Sequence, residues 1–432
     1  MGNMIIGVRR EDKNKWERRV PLTPEILEDF QTNEGLSFIV QSSPIRVFKD
    51  QEYENRGVSV SEDLSPADLI FAVKEVPIPL IEDNKAYVFF SHTIKGQSYN
   101  MPLLQRILDG GSTLVDYEKI ADEQGRRLVF FGVHAGYAGM IDTLHLLGKR
   151  HGALGKKCRF LQVKMAYQYS SLAEAKAEIA KLGPDIAERG FSTPIIFGFA
   201  GYGNVSNGAQ EILDVLPVVE ITPDELLSLR DKEDIKTNCV YKVVFKEEDM
   251  AERIDGSAFE LQTYYQQPEL FRSKFGQYLP LLSVLINAIY WTEKYPRLVT
   301  KQLLKEIFQS GGHRPEVIGD ISIDIDGAIE CSYKSTHSDH PSYVYDPLND
   351  TYADGVEGNG PVILAVDNLP CELPRESSET FSSALKPFIS AMARADWKQD
   401  FENLELPQPI KSAVIAHKGE LTPDFQYLKK YL

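Results

Sequence analysis

The stretch PIIFGFAGYGNVSNGAQ, residues 194–210, decides the fold class of this chain. An apolar run typical of a buried strand leads into two closely spaced glycines, Gly201 and Gly203, and a helix-forming segment follows. Strand, glycine turn and helix in this order bind a pyrophosphate, because glycine lets the backbone approach the ligand and the helix N-terminus attracts its charge. We therefore predict an α/β domain that binds a dinucleotide through Gly201, Gly203, Asn204 and Val205.

The glycine motif departs from the usual Gly-x-Gly-x-x-Gly pattern at its third position, where Ser206 replaces glycine. A glycine-rich turn without a ligand is the alternative interpretation, but the flanking strand and helix favour dinucleotide binding. Glu220 ends the next apolar run, seventeen residues after Gly203, where an acidic residue commonly binds the adenosine ribose. Taken alone, Glu220 predicts NAD rather than NADP, because its carboxylate would repel a 2′-phosphate.

Apolar runs alternate with helical segments on both sides of this motif. The runs IIGV, SFIV, LIFAV, YVFF and TLVD precede it, and CVYKVVF and PVILAV follow it. This alternation predicts an α/β protein with parallel sheets flanked by helices. Since 432 residues exceed one hydrophobic core, we predict two domains. The substrate-binding, catalytic domain is placed at 1–135 plus 375–432, and the dinucleotide-binding domain at 136–374.

The composition excludes several classes of protein. Apolar residues make up 43% and charged residues 25%, which is typical of a globular protein. A net charge of −16 without a basic run argues against binding to nucleic acid. The N-terminus lacks a signal-peptide pattern, and there is no run of about eighteen apolar residues that would cross a membrane. We therefore expect a cytoplasmic protein that does not bind membranes.

The cysteines and histidines predict no metal site. The four cysteines, at 158, 239, 331 and 371, lie far apart without a Cys-x-x-Cys pair, so we expect reduced thiols in the cytoplasm. The stretch HSDH at 337–340 lacks the spacing and the third ligand of a zinc site, and a loop contact is the favoured interpretation.

Charged residues stand at the ends of consecutive apolar runs in the first part of the chain. Lys74 follows the run at 69–73, and His92 and Lys95 follow the run at 86–90. Open α/β sheets bind ligands at the carboxyl ends of their strands, so we expect these groups to meet there. A lysine among cations loses its proton near neutral pH and histidine titrates there, so the set suits acid–base catalysis. Surface positions in connecting loops are the alternative.

A further carboxylate and two arginines extend this set. Glu118 lies just after the run at 113–116, Arg127 follows nine residues later, and Arg19 comes after the first apolar run. Arginine binds carboxylates through two parallel hydrogen bonds, so arginines concentrated here in an acidic protein predict an anionic substrate. Solvated surface charge is the competing interpretation.

Several longer motifs are spread over nearly the whole chain. They are VRRED (8–12), WERR (16–19), PLTP (21–24), VKEVP (73–77), FSHTIKGQ (90–97), VDYE (115–118), FGVHAGYAGM (131–140), GYGNVSNGAQ (201–210), YW (290–291), GDIS (319–322) and VDNLP (366–370). With these motifs the chain resembles the lysine-forming saccharopine dehydrogenases, and in particular the lysine–ketoglutarate reductase half of the bifunctional aminoadipic semialdehyde synthases. The resemblance implies two Rossmann-like domains with the active site in the interdomain cleft.

The resemblance also implies a reaction, the reductive condensation of L-lysine with 2-oxoglutarate to saccharopine. Lys74 and His92 match the family's acid–base pair. Lys74 would deprotonate the amine, and His92 would carry protons while the carbinolamine loses water to form the imine that a hydride reduces. Glu118 would modulate the charge of this pair. By the same analogy the substrate carboxylates are bound by Arg19, Lys95 and Arg127.

The cofactor and the partners follow from the same resemblance. Asp320 or Asp324 would lie near the cofactor. The reductase half of the bifunctional enzymes prefers NADPH, which conflicts with the simple interpretation of Glu220, so we expect NADPH with NADH as the alternative. The chain ends where the bifunctional proteins continue into a saccharopine-cleaving half. A separate saccharopine-cleaving dehydrogenase is therefore the expected partner, with lysine, 2-oxoglutarate and saccharopine as the small molecules.

Two other functions fit parts of the sequence. An alanine-dehydrogenase-like amino-acid dehydrogenase shares the two-domain plan and similar segments near Asp324 and the DNLP stretch at 367–370, and it would use free ammonia in place of lysine. A non-catalytic nucleotide-binding module that regulates a partner would keep the fold. Such a module has no need for the lysine, histidine, glutamate and arginine of the predicted site together.

Overall fold

The computed structural model describes residues 4–229, 235–312 and 315–432. The chain divides into two units, of which unit 1 combines Met1–Phe131 with Pro374–Leu432 and unit 2 is Gly132–Leu373. The chain thus leaves unit 1, builds unit 2 and returns to unit 1.

The first segment of unit 1 alternates strands and helices. Its elements are β1 (Ile5–Val8), α1 (Pro24–Glu34), β2 (Ser37–Gln41), α2 (Asp50–Glu54), β3 (Ser59–Ser61), β4 (Leu69–Phe71), β5 (Ala86–Phe89), α3 (Met101–Asp109) and β6 (Thr113–Asp116). Helix α1 begins at Pro24, whose fixed φ suits a first helical position, and it ends before Gly35, which adopts the left-handed conformation with φ of 67°.

Unit 2 continues the alternation and adds small antiparallel elements. Its helices are α4 (Gly132–Ala153), α5 (Leu172–Ala180), α6 (Gly183–Arg189), α7 (Asn204–Leu213), α8 (Pro223–Leu229), α9 (Glu247–Met250), α10 (Leu261–Gln266) and α11 (Lys301–Ser310). Its strands are β7 (Ile195–Ala200), β8 (Val218–Glu220), β9 (Val240–Phe245), β10 (Ala251–Arg253), β11 (Phe271–Ser273), β12 (Val284–Asn287), β13 (Val317–Asp320), β14 (Ser342–Asp346), β15 (Thr351–Asp354) and β16 (Val362–Leu364).

The last segment completes unit 1 with α12 (Pro374–Arg394), α13 (Gln408–Lys411), β17 (Val414–His417) and β18 (Glu420–Leu421). The sheet of unit 1 has the order β18-β17-β6-β5-β4-β1-β2-β3. Strands β1 to β6 are parallel, and β17 joins β6 in the antiparallel direction. Strands β4 and β5 are buried along their whole length, as expected for a parallel sheet covered on both faces.

The main sheet of unit 2 has the order β15-β14-β16-β13-β12-β7-β9-β8. The six strands from β16 to β8 are parallel, and the hairpin of β14 and β15 is added in the antiparallel direction at one edge. Strand β9 lies between the glycine strand β7 and strand β8, although β8 comes first in the chain. The predicted α/β class with parallel sheets flanked by helices is confirmed.

Helices α4 and α7 of unit 2 pack closely against each other. A side chain added at Gly136 would place its Cβ 2.0 Å from Val205 O, and one added at Gly208 would place it 2.2 Å from Val133 O. The contact therefore requires glycine on both helices. Within the described ranges, no helix is both long enough and apolar enough to cross a membrane.

Candidate active site

Three predicted residues follow three neighbouring strands of the unit 1 sheet. Lys74 follows β4, His92 follows β5 and Glu118 follows β6, and these strands are parallel and adjacent in the order β6-β5-β4. The carboxyl ends of adjacent parallel strands meet at one edge of a sheet. Lys74, His92 and Glu118 therefore lie along the same edge, which we call the acid–base edge.

The His92 imidazole is held by a carboxylate that the sequence analysis did not single out. Glu75 Oε1 lies 2.5 Å from His92 Nδ1, and the two side chains are 22% and 33% exposed. Burial by itself would raise the pKa of Glu75, but the hydrogen bond from His92 and the charges of His92 and Lys13 lower this pKa to about 2. Glu75 therefore stays ionised and fixes the orientation of the ring.

The backbone at His92 is strained in a way that supports a functional position. Its φ of 53° is in the left-handed region, which a residue with a Cβ seldom adopts. Asn100 Nδ2 donates to the carbonyl of His92 at 2.9 Å, and the Phe90 ring stacks on the imidazole at 6.3 Å between centroids. These contacts keep the loop in the conformation that presents the imidazole.

A second buried carboxylate holds the loop that carries Lys74. Glu11 accepts the backbone N–H groups of Val73 at 2.6 Å and Lys74 at 3.0 Å. Burial and the nearby charge of Glu17 raise the pKa of Glu11 to about 7. Glu11 thus belongs to the acid–base edge, although in the sequence it is only one member of a charge run.

Asp116 connects the end of β6 to the loop of His92. Its buried carboxylate accepts the backbone N–H of Ser91 at 3.0 Å and the Ser91 hydroxyl, and it also accepts the N–H of Glu118 at 2.7 Å. Burial raises the pKa of Asp116. The carboxylate contacts therefore link neighbouring strand ends, and Glu118 itself is half-buried.

The three predicted carboxylate-binding residues differ in their surroundings. Lys95 and Arg127 are exposed, and the Arg127 guanidinium lies 5.8 Å from the centre of the Phe90 ring. Arg19 is buried, and it donates to both oxygens of Glu17 at 2.7 and 2.6 Å. Its guanidinium also lies 4.1 Å from the centre of the Phe131 ring. Arg19 is thus fixed by an acidic neighbour, whereas Lys95 and Arg127 lie at the surface.

An aromatic cluster lies beneath the acid–base edge. The rings of Phe90, Tyr117, Phe131 and Phe381 lie 4.5 to 6.1 Å apart between centroids. Phe381 comes from α12, so the last segment of the chain supports the loops of the first. Residues 375–432 were predicted to belong to the first domain, but the contact of Phe381 was not predicted, because contacts over more than 200 residues leave no local pattern.

The glycine turn of unit 2 has the geometry that a pyrophosphate requires. Gly201 follows β7 with φ of 94°, and a Cβ there would lie 3.1 Å from Ala288 O. Nothing lies within 4 Å of the Cβ position at Gly203, and α7 begins at the next residue. The turn is therefore open on the side where the first N–H groups of α7 begin, including those of Asn204 and Val205. These residues fit the diphosphate of a nicotinamide dinucleotide.

Glu220 does not end the strand beside β7. Strand β9 is inserted between β7 and β8, and the Glu220 carboxylate lies 3.0 Å from Lys242 Nζ on β9. The expected ribose contact of Glu220 was drawn from its distance along the chain from Gly203. The strand order places Glu220 on the outermost strand of the sheet, two strands from β7.

The structure distinguishes the two candidate aspartates near β13. Asp320 ends β13 and is buried, and it accepts hydrogen bonds from Asn287 Nδ2 at 2.9 Å and Ser332 Oγ at 2.5 Å. Burial raises the pKa of Asp320 to about 6. Asp324 is exposed on the loop that follows. Asp320 therefore holds the end of the sheet together, and Asp324 is the one at the surface.

The structure also describes the HSDH stretch and the four cysteines. Residues His337 and His340 form an isolated antiparallel bridge. In the ranges that the structure describes, no group of three or more potential ligands is arranged to hold a metal ion. The four cysteines form no disulfide, and three of them are buried.

Comparison with curated proteins identifies long relatives. The alpha-aminoadipic semialdehyde synthase of Arabidopsis thaliana is 39% identical over 450 residues, which cover 100% of this chain and 42% of the plant protein. The mitochondrial alpha-aminoadipic semialdehyde synthase of Bos taurus is 36% identical and is covered to 48%. The saccharopine dehydrogenase [NAD(+), L-lysine-forming] of Neurospora crassa is 27% identical, with 92% of this chain and 93% of the fungal protein aligned. The chain spans about half the length of the synthases.

Solved structures share the fold at low identity. An L-alanine dehydrogenase matches with a TM-score of 0.64 and 17% identity over 99% of both chains. A transhydrogenase from Sinorhizobium meliloti matches with a TM-score of 0.53 and 16% identity over 97% of this chain and 100% of the other.

Two family models match the sequence. The N-terminal domain model of alanine dehydrogenase/PNT matches residues 7–138, and the C-terminal domain model matches residues 240–424. These matches and the relatives confirm the resemblance drawn from the motifs. The chain therefore belongs to the alanine dehydrogenase/PNT family and is homologous to the aminoadipic semialdehyde synthases and the lysine-forming saccharopine dehydrogenases.

Proposed function

We propose that this chain catalyses the reductive condensation of L-lysine with 2-oxoglutarate to saccharopine, with NADPH as the reductant. The observation that carries the proposal is the His92–Glu75 pair, in which His92 follows β5 and Glu75 stands next to Lys74 after the neighbouring strand β4. A histidine whose Nδ1 is held by a carboxylate can exchange protons through Nε2. Homology to proteins named for saccharopine and aminoadipic semialdehyde supports the choice of substrates.

The proposed steps use the acid–base edge. Lys74 accepts a proton from the lysine ε-ammonium group, and the free amine attacks the ketone carbon of 2-oxoglutarate. His92 then protonates the hydroxyl group of the carbinolamine, which leaves as water and gives a protonated imine. When bound, the nicotinamide supplies the hydride that reduces this imine to the secondary amine of saccharopine. Glu75 orients the imidazole of His92 through the contact with Nδ1, and we assign to Glu118 the modulation of charge at Lys74 and His92.

The substrates carry carboxylates that need cationic partners. We assign Lys95 and Arg127 to these carboxylates, because both side chains are exposed. Lys95 lies three residues after His92, and the Arg127 guanidinium lies against the Phe90 ring. Arg19 remains a third candidate. Its hydrogen bonds to Glu17 fix the guanidinium, so we expect Arg19 to bind a substrate carboxylate without changing its side-chain conformation.

The cofactor would be held by unit 2 through Gly201, Gly203, Asn204 and Val205, and we place Asp324 rather than Asp320 beside it because Asp324 is exposed. A reducing compartment such as the cytoplasm suits four cysteines that form no disulfide. We further propose a saccharopine-cleaving dehydrogenase as the metabolic partner, because the secondary amine formed here requires a second oxidoreductase to be split.

The proposal is tested by following NADPH absorbance with the purified protein. Oxidation that requires lysine and 2-oxoglutarate together is expected, and each substrate alone is the control. Oxidation with ammonia and pyruvate instead would favour an alanine-dehydrogenase activity. A protein that binds NADPH yet turns over neither pair would contradict the enzyme assignment and favour a regulatory nucleotide-binding module.

A further inference from the structure

The strand order of unit 2 changes which residues stand beside the glycine turn. The glycine strand β7 pairs with β9 on one side and with β12 on the other. In dinucleotide-binding domains, the flanking strand that comes before the crossover to the other half of the sheet ends at the 2′ position of the adenosine ribose. Here that strand is β9, which pairs with β7 from Ile195 opposite Val240 to Ala200 opposite Phe245. The N–H of Gly201 also donates to Phe245 O at 3.0 Å. The residues directly after Phe245 therefore stand where the 2′ position of the adenosine ribose is recognised.

The register places Glu220 far from that position. Glu220 is opposite Lys242, which is opposite Phe197, so Glu220 lies three residues short of Ala200. Three residues along a strand and two strands across each correspond to about 10 Å. If the pyrophosphate binds at the glycine turn, the ribose therefore lies beside the end of β9. The Glu220 carboxylate instead forms an ion pair with Lys242 at 3.0 Å.

Lys246 is the first residue after β9, and its side chain is exposed. Its backbone is fixed, because its N–H donates to Asp249 Oδ2 at 2.8 Å and its carbonyl accepts the N–H of Asp249 at 3.0 Å. An ammonium group at this place attracts a phosphate, whereas a carboxylate would repel it.

The next residue, Glu247, would oppose a phosphate if its charge faced the ribose. Its carboxylate instead accepts a hydrogen bond from Tyr265 Oη at 2.7 Å, and Tyr202, between the two glycines of the turn, also hydrogen-bonds it. Two phenol groups therefore hold this carboxylate and disperse its charge. The contact also ties the end of β9 to the glycine turn.

We propose that Lys246 binds the 2′-phosphate of NADPH and makes the site prefer NADPH over NADH. The inference rests on the proposed function, because it assumes that unit 2 holds a nicotinamide dinucleotide. The residue that selects NADPH over NADH then follows β9, and Glu220 does not contribute to this selection.

Calorimetric titration of the unliganded protein with NADPH and with NADH tests the inference without turnover. The wild type should bind NADPH more tightly. Lys246→Ala should weaken NADPH binding about tenfold, which corresponds to 1.4 kcal/mol, and should change NADH binding less than twofold. Two matched variants should keep the wild-type ratio of dissociation constants. They are Lys236→Ala, an exposed lysine before β9, and Glu220→Gln.

The outcomes separate the inference from the proposed function. An unchanged ratio in Lys246→Ala, a changed ratio in Glu220→Gln, or a wild type that prefers NADH would overturn the role of Lys246 and leave the condensation reaction standing. A wild type that binds neither nucleotide would overturn both. Thermal melting of each variant shows whether the fold is intact.

Discussion

The strand ends of unit 1 and unit 2 use different kinds of groups. In unit 1, buried or half-buried carboxylates hold the loops, with Glu11 on two backbone N–H groups and Glu75 on the His92 ring. In unit 2, the turn after β7 has glycines at Gly201 and Gly203, and backbone and open space take the place of side chains. Proton transfer needs side chains at fixed positions, whereas a diphosphate needs side chains to be absent. The two ends should therefore respond to different substitutions.

The largest effect is expected from Lys74→Met, which removes the proposed base and keeps the length of the side chain. Turnover should fall at least about 100-fold, because a positioned acid or base contributes that much or more. NADPH binding, measured by calorimetry, should be unchanged, since the turn of unit 2 is untouched. Lys49→Met, at an exposed lysine of unit 1, is the control and should keep full turnover. Normal turnover in Lys74→Met would remove the acid–base assignment.

A smaller loss is expected from Glu75→Gln, which keeps the shape but removes the charge beside His92. Turnover should fall about tenfold, because a proton-transfer histidine loses its partner. The control is Glu82→Gln, at the opposite end of β5. A loss of NADPH affinity without a loss of turnover would contradict the assignment of proton transfer to unit 1 and of cofactor binding to unit 2.

Glu75 also makes a prediction about pH and stability. Its pKa falls from 4.5 to about 2 on folding, so its stabilising contribution is complete above pH 4.5 and is lost as the pH drops towards 2. In urea unfolding, the wild type should exceed Glu75→Gln in stability above pH 4.5, and the difference should shrink with acid. A constant difference across this range would contradict the ionised state.

The turn of unit 2 should respond to added bulk. Gly201→Ala places a Cβ 3.1 Å from Ala288 O on a backbone with φ of 94°, which costs about 1–2 kcal/mol and should weaken NADPH binding about fivefold to tenfold. Turnover with saturating NADPH should be close to normal. Gly183→Ala is the matched control, because its Cβ would meet Pro217 Cδ at an ordinary 3.4 Å. Equal effects of both substitutions would show that the turn has no special role.

The smallest effect concerns a buried acid pair in unit 2 that has no proposed catalytic part. Burial and the Glu372 carboxylate raise the pKa of Asp142 well above 3.8, so its stabilising contribution is complete below pH 3.8 and is lost as the pH rises through the folded value. Asp142→Asn should remove this loss, so its unfolding free energy should exceed that of the wild type in alkaline buffer. Urea unfolding at acidic and alkaline pH measures it.

The control for this pair is Asp224→Asn, an exposed carboxylate of the same unit. It should follow the pH dependence of the wild type. If Asp142→Asn is less stable than the wild type in alkaline buffer, the raised pKa of Asp142 is contradicted.

Part of the candidate site follows from local sequence. The glycine turn and the helix after it were predictable from residues 194–210, because turns and helix starts depend on near neighbours. The positions of Lys74 and His92 after consecutive strands were also predictable. Glu75 stands beside Lys74 at a strand end but was given no role, because its contact with His92 joins residues seventeen positions apart.

The sequence by itself determined the α/β class, the strand–turn–helix order around Gly201 and the sets of residues that follow the strands. Only the tertiary structure decided that β9 separates β7 from β8, which places Glu220 two strands from the glycine strand and is the basis of the role we propose for Lys246. It also decided that α12 brings Phe381 beneath the first loops. The physical reason is that a strand gains its neighbours from long-range packing and hydrogen bonding, which the order of strands along the chain does not specify.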